Sequence, residues 1–190
     1  MFLTNNVNTL PLYHWLQPNE SICLYSEPIS ADLIKNLKPR LIISYNYTFL
    51  INSDCIEQMR DRIINLHISL LPWNRGSDPN FWSFIENTPK GVSVHLISTE
   101  LDQGDIIFQE ETKFDEEVET LRSSYEKLNV LIQELFKKNW DSVNEERYIT
   151  FKQSGQGSYH TKSDYIKYLD KEIITFDEPI KHLKERICNK

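Results

Sequence analysis

No glycine occurs in the first seventy-five residues; the five present are Gly76, Gly91, Gly104, Gly155 and Gly157. That absence excludes a dinucleotide fingerprint or a P-loop after the first strand, because both need glycine where backbone approaches phosphate. Cysteine is scarce and badly spaced for chemistry. Cys23, Cys55 and Cys188 are odd in number and form no CxxC pair. Neither a zinc knuckle nor a disulfide framework is indicated, no metal is expected, and reduced thiols in a cytoplasmic protein are the simplest expectation. There is no run of eighteen apolar residues, so no membrane partner is expected, and the opening MFLTNNVNTL lacks the basic start and long apolar run of a signal peptide. Positive charge is in deficit, with a net charge of −7. Phosphate neutralisation needs clustered Lys and Arg, so no nucleic-acid partner is expected and small molecules are favoured.

What is present suits one soluble globular unit: 190 residues, 39% hydrophobic and 26% charged, are enough for a real core. Short β-branched runs alternate with amphipathic stretches. Met1–Thr4, Ser21–Tyr25 and Leu41–Tyr45 read as strands. Thr9–Gln17, entered through Pro11, reads as a helix, as does a stretch capped by Ser30 and stopped by Pro39, and another capped by Ser53. This alternation predicts an α/β fold with a mostly parallel sheet flanked by helices. Ser77 or Asp78 would cap a helix with Pro79 in its first turn, and Phe81, Trp82 and Phe84 would face the core. Val92–Ser98 and Asp105–Gln109, joined by the short loop Thr99–Gly104, read as antiparallel neighbours on a mixed edge. Apolar residues at helical spacing from Val118 to Phe136 predict a long packing helix from about Asp115 to Trp140, its acidic residues at the start. The chain then turns polar. Residues 1–150 are read as the main domain and 151–190 as a short C-terminal extension, with Phe151–Asp170 as loop and Thr175–Lys190 as helix or mobile tail.

One strand stands out. In Ile63–Pro72, IINLHISLLP, one face carries Ile64, Leu66, Ile68 and Leu70, while the other carries Ile63, Asn65, His67 and Ser69. An amide beside an imidazole is costly to bury without partners, and both stand toward the strand's C-terminal end, where open α/β sheets place ligands. Their Cβ atoms would lie about 6–7 Å apart. Together they supply donors that can aim at one developing oxyanion. A nearby carboxylate would hold the imidazole in one state. Asp102, in the loop that Gly104 lets turn sharply, is the candidate, with Asp105 as competitor. His95, between Val94 and Leu96, reads as packing or facing solvent.

The ordered set Asn65-Leu66-His67-Ile68-Ser69-Leu70-Leu71-Pro72, Arg75-Gly76, Gly91-Val92-Ser93-Val94-His95 and Leu101-Asp102-Gln103-Gly104-Asp105-Ile106 resembles the 10-formyltetrahydrofolate-dependent formyltransferase family. The likeness runs from about Leu41 to Gln109; it departs at Ile68, where that family commonly has proline, and in a shorter N-terminal region. The resemblance implies a Rossmann-like formyltransferase fold. It implies that Asn65, His67 and Asp102 are catalytic and that a substrate amine attacks the formyl carbon of 10-formyltetrahydrofolate, the folate co-substrate. It also implies a pterin pocket walled by Tyr47, Phe49 and Leu50 on one side and by Thr99, Leu101 and Asp102 on the other. Ser69, Arg75 and Tyr159 are candidates for contact with the acceptor; Arg75 reads equally as a turn residue, and Tyr159 as a surface-loop residue.

The family's members differ in acceptor. About forty residues follow Thr150, too few for the barrel domain that a methionyl-tRNA enzyme of this family carries. Asn5-Asn6-Val7 is not the glycine-rich phosphate loop that the glycinamide ribonucleotide enzyme needs. By elimination the acceptor is read as the amino group of a sugar, carried on a nucleotide and used in polysaccharide biosynthesis. The alternatives are those two enzymes, a formyl-folate hydrolase, and a non-catalytic folate-binding domain. A homodimer is admitted as one assembly.

Overall fold

The computed structural model describes residues 1–169 and 174–188. In chain order the elements are β1 (Phe2–Leu3), α1 (Leu10–Leu16), β2 (Leu24–Tyr25), α2 (Ala31–Leu37), β3 (Ile42–Tyr45), α3 (Ser53–Met59), β4 (Ile63–His67) and β5 (Arg75–Gly76). There follow α4 (Pro79–Ile85), β6 (Lys90–Leu96), β7 (Ile106–Thr112), α5 (Leu121–Lys138), α6 (Trp140–Asn144), β8 (Tyr159–His160), α7 (Lys162–Leu169) and α8 (Ile180–Cys188). A six-stranded sheet runs β2-β1-β3-β4-β6-β7, and β5 pairs with β8 in a separate ribbon. The first four strands of that order are parallel, while β6 is antiparallel to β4 and β7 to β6. This is the mixed α/β sheet that the alternating pattern predicts, with the antiparallel edge on the side of the short loop.

The strands are apolar on both faces because helices cover both. On one face Ile64, Leu66 and Ile68 join Phe2, Ile43, Val92 and Val94 against Leu12 and Leu16 of α1 and Leu128, Ile132 and Phe136 of α5. On the other, Leu3, Ile42 and Ile63 pack with Ile34 of α2 and Cys55 and Met59 of α3. A third cluster joins Phe81, Trp82 and Phe84 of α4 to Leu121 and to Ile180, Leu183 and Ile187 of α8.

Several local expectations shift. The α3 cap is Asn52, whose Oδ1 accepts from the Cys55 N–H at 2.9 Å, not Ser53. Asp78 holds the cap position of α4 at φ +55°, but its side chain makes no capping bond. The long helix begins at Leu121, later than the acidic run suggests: residues 115–119 form a turn, and Thr120 and Ser123 bond each other's backbone N–H reciprocally. Only Leu24–Tyr25 of the second strand pairs. The stretch read as loop after Phe151 holds β8 and α7, and the tail holds α8. Residues 170–173, 189 and 190 lie outside the described residues.

Phe136 is fully buried on α5, while Val130 on the same helix is 62% exposed. Phe136→Ala should lower unfolding free energy by about 3–5 kcal/mol, and Val130→Ala should change it by no more than about 0.5 kcal/mol. Urea unfolding followed by circular dichroism measures both; similar losses would mean that α5 does not seat on the sheet by this face.

Candidate active site

The polar face of β4 is where helical cover stops. Ile63 lies under α3, but Asn65 and His67, two and four residues on, are covered instead by two returning loops. The first is the turn after the strand, which brings the Asn74 carbonyl to 3.0 Å from His67 Nε2. The second joins β6 to β7 and carries Asp102. The loop turns at Asp102 itself, at φ +53°. Gly104 serves a different need from the sharp turn expected of it: a Cβ there would sit 1.7 Å from the Leu96 carbonyl oxygen, so only glycine permits that close approach.

Asp102 is the meeting point. Its side chain is 8% exposed. Oδ2 accepts from the Gly76 N–H at 2.9 Å and lies 3.8 Å from His67 Nδ1. Oδ1 accepts from Asn65 Nδ2 at 3.2 Å and lies 3.4 Å from His95 Nε2. Burial pushes this carboxyl up, but the two neighbouring imidazoles and the Gly76 N–H outweigh it and hold the group well below the ordinary carboxylate range. Burial pushes His67 the opposite way from Asp102's attraction and prevails, so its value lies below that of an ordinary imidazole. The carboxylate is therefore an anion and His67 a neutral ring at neutral pH. A carbonyl only accepts, so Nε2 carries the His67 hydrogen, and Nδ1 is the nitrogen with a lone pair beside Asp102.

The structure thus brings Asn65, His67 and Asp102 together. It differs from the expected two donors in one respect: the Asn65 NH2 is turned to Asp102 and to His95 Nε2, 3.2 Å away. His95, read from the sequence as a packing residue, is 1% exposed and part of this cluster. The signal that could have found it is register, since β4 and β6 are antiparallel with Asn65 opposite His95. Two further contributors carry no sequence motif. Asn74 is fully buried, its Nδ2 donating to Thr88 Oγ1 at 2.7 Å. Gln153 donates from Nε2 to the Asp102 and Gly104 carbonyls at 2.7 and 2.9 Å.

The other candidates fall in different places. Tyr47 is half-buried; its hydroxyl donates to the Glu27 carbonyl at 2.6 Å and accepts from the Ile29 N–H at 3.2 Å. Phe49 meets its ring at 5.5 Å, and Phe49 and Leu50 are exposed. Thr99 and Leu101 are exposed on the Asp102 loop. Tyr47 and Ile97, which start these two segments, pack against the same core cluster. Ser69 is buried, and its hydroxyl donates to the Trp73 carbonyl at 2.8 Å, which fixes the turn after the strand. Asp105, the competitor, instead pairs with Lys152 at 2.9 Å. Arg75 donates to Gln153 Oε1 at 2.8 and 3.0 Å, and Tyr159 lies beside it in the β5–β8 ribbon, exposed.

A cavity of about 320 Å³ opens near the same end of the sheet, lined by residues that include Ile68, Asp78, Phe81, Tyr125, Tyr165 and Phe176. The Tyr125 hydroxyl accepts from Asn6 and Asn46, which follow β1 and β3, so the cavity lies at the carboxyl ends of the parallel strands. Burial pushes the Asp78 carboxyl up, against the pull of Lys162. Among the described residues no cluster of His, Cys, Asp and Glu is arranged to hold a metal ion, and no helix is long and apolar enough to cross a membrane.

A family model described as formyl transferase matches residues 23–138. The crystal structure of the formyltransferase PseJ from Anoxybacillus kamchatkensis, in complex with UDP-4,6-dideoxy-4-formamido-L-AltNAc and tetrahydrofolate, is similar with a TM-score of 0.85 and 36% identity, covering 95% of this chain and 94% of that one. The dTDP-4-amino-4,6-dideoxyglucose formyltransferase of Mycobacterium bovis is 26% identical over 178 residues, 87% of this chain and 75% of its own. The methionyl-tRNA formyltransferase of Finegoldia magna is 29% identical over 150 residues, 71% of this chain and 48% of its own. The chain spans about half the length of the methionyl-tRNA formyltransferases that it matches. With a family model over more than half of its residues and a solved relative matched almost end to end, the chain belongs to the formyl transferase family.

Proposed function

We propose that the protein transfers a formyl group from 10-formyltetrahydrofolate to the amino group of a nucleotide-linked amino sugar, with Asn65, His67 and Asp102 as the catalytic residues. The observation that carries the acceptor is the match to PseJ, with a TM-score of 0.85 over 95% of this chain and 94% of that one. A UDP-linked 4-amino-4,6-dideoxy sugar is the first acceptor to test.

In the reaction, the amine lone pair forms a bond to the formyl carbon while the carbonyl π pair moves to oxygen. The nitrogen loses a proton; when the oxygen pair returns, the C–N10 bond breaks and N10 takes a proton, giving a formamide and tetrahydrofolate. His67 Nδ1 is the acceptor for the amine proton, because Nε2 is committed to Asn74 and burial keeps the ring neutral. The imidazolium so formed is stabilised by Asp102, and its new N–H can donate to the oxyanion or to N10. Tyr47, Phe49 and Leu50, with Thr99, Leu101 and Asp102, are assigned to the pterin, and the cavity beside Asp78 and Tyr165 to the nucleotide-sugar, where aromatic rings suit a base and Asp78 can accept from an N–H or hydroxyl.

His67→Ala and Asp102→Ala should each lower kcat by about a hundredfold or more with folding retained, as measured by folate-dependent formylation of the UDP-amino sugar. Free formate in place of formyl-sugar would make the protein a hydrolase, and formylation of methionyl-tRNA alone would move it to that subgroup. On the acid side, kcat/KM should fall as His67 gains its proton, below the ordinary imidazole value of about 6.5. Asp102→Asn removes the charge that opposes burial at His67, so the residual activity should show its acid limb at still lower pH; a limb moving upward would contradict the assignment. Tyr165→Ala and Asp78→Asn should raise the acceptor KM by about tenfold each and leave the folate KM unchanged. A change confined to the folate KM would place the acceptor elsewhere.

A further inference from the structure

His95 touches no group that the proposed reaction transforms, yet it is buried against two of the three residues that do the work. Its Nδ1 lies 2.8 Å from the Leu96 carbonyl oxygen. A carbonyl only accepts, so Nδ1 carries a hydrogen, and in the neutral ring Nε2 is left as an acceptor. Nε2 faces Asn65 Nδ2 at 3.2 Å and Asp102 Oδ1 at 3.4 Å, while Asn65 Nδ2 also lies 3.2 Å from that same Oδ1. The amide NH2 has two hydrogens and two acceptors to serve, and it satisfies both. A doubly protonated ring would set its Nε2 hydrogen against the NH2, donor against donor. Relief would require the amide to turn its oxygen toward the ring, which would put that oxygen 3.2 Å from the Asp102 carboxylate. The neutral ring avoids both, and its bare Nε2, 3.4 Å from Asp102 Oδ1, shares with that oxygen the two hydrogens of one NH2. The ring of His67 stands edge-on to His95 with centroids 6.2 Å apart, and no other ionisable side chain makes a hydrogen bond or ion pair with the His95 ring among the described residues.

We infer that His95 is a positioning residue: by accepting one Asn65 amide hydrogen it turns that amide so that Oδ1, not Nδ2, is presented to the incoming amine. Asn65 is only half-buried, and its Oδ1 has no protein partner among the described residues. An amide oxygen accepts an N–H from the acceptor amine and aims the nitrogen lone pair at the formyl carbon. As that nitrogen gains positive character on attack, the bond strengthens. This assignment rests on the formyl-transfer reading, in which Asn65 meets the reacting amine. It gives Asn65 and His67 Nδ1 the same partner, the acceptor nitrogen, one to orient it and one to take its proton.

The test reads the ring directly. Nitrogen-15 NMR of the full chain at pH 7.5, with histidine side chains assigned by comparison with His95→Gln, should show His95 as the neutral Nδ1–H tautomer. An Nε2–H tautomer or a doubly protonated ring overturns the inference. In steady-state assays with 10-formyltetrahydrofolate and the UDP-linked 4-amino sugar, His95→Leu should lower kcat by about tenfold with the folate KM within about twofold. His95→Gln, whose Oε1 can accept the same amide hydrogen, should stay within about threefold of the wild type. Wild-type kcat in the leucine variant, or a glutamine variant as slow as leucine, also overturns it. If the leucine variant does not fold, the tautomer and the glutamine variant decide. If the wild type transfers no formyl group at all, the proposed function fails, and the tautomer still decides how the amide is held.

Discussion

A carboxylate with 8% of its side chain exposed must be compensated, and the architecture around Asp102 is the compensation. Stripping such a group of water costs several kcal/mol before partners are counted. Its donors come from separate stretches of chain, the Gly76 N–H from β5 and the Asn65 amide from β4, with the rings of His67 and His95 packed beside it from β4 and β6. Loss of either donor leaves the buried charge short of a partner. The backbone at Asp102 is itself in the left-handed region, at φ +53°, a conformation that non-glycine residues hold only when their surroundings dictate it. The Asn74 carbonyl, outside these contacts, fixes which nitrogen of His67 is bare.

This arrangement requires a sheet whose strand direction changes in the middle. β4 has a parallel neighbour on one side and an antiparallel one on the other. The parallel neighbour belongs to the half in which helices seal both faces. The antiparallel neighbour sets His95 across from Asn65 and feeds the loop that folds back with Asp102.

The parts of this that local sequence conveys are those with local causes. The switch from aliphatic to polar along Ile63–Ser69 marks the site, since the pleat alone sorts the two faces. Ser30 caps its helix as the sequence implies, through the Leu33 N–H. Where two residues can do one job, local reading stalls: Asn52 and Ser53 are adjacent and both cap-competent, and only the path of the chain selects Asn52. The acidic run before α5 resembles a first helical turn, but a turn around Asp115 intervenes, and Ser123 takes the place where a capping box would usually show Glu or Gln. His95 depends on which strand lies opposite, and β8 on a two-residue partner more than eighty positions away, so neither leaves a periodic trace.

The segment 153–160 reaches back to both halves of the site. Gln153 bonds the Asp102 and Gly104 carbonyls and receives Arg75, Ser158 meets Asn74, and His160 accepts from the Ser77 N–H. A chain emerging from the ribosome exposes Asn65, His67 and Asp102 long before these late residues. The strand that offers the Gly76 N–H has no edge partner until His160 has been made. The order of synthesis therefore delays this frame until residue 160 has been made, so that a shorter nascent polypeptide carries the three side chains without the contacts that align them.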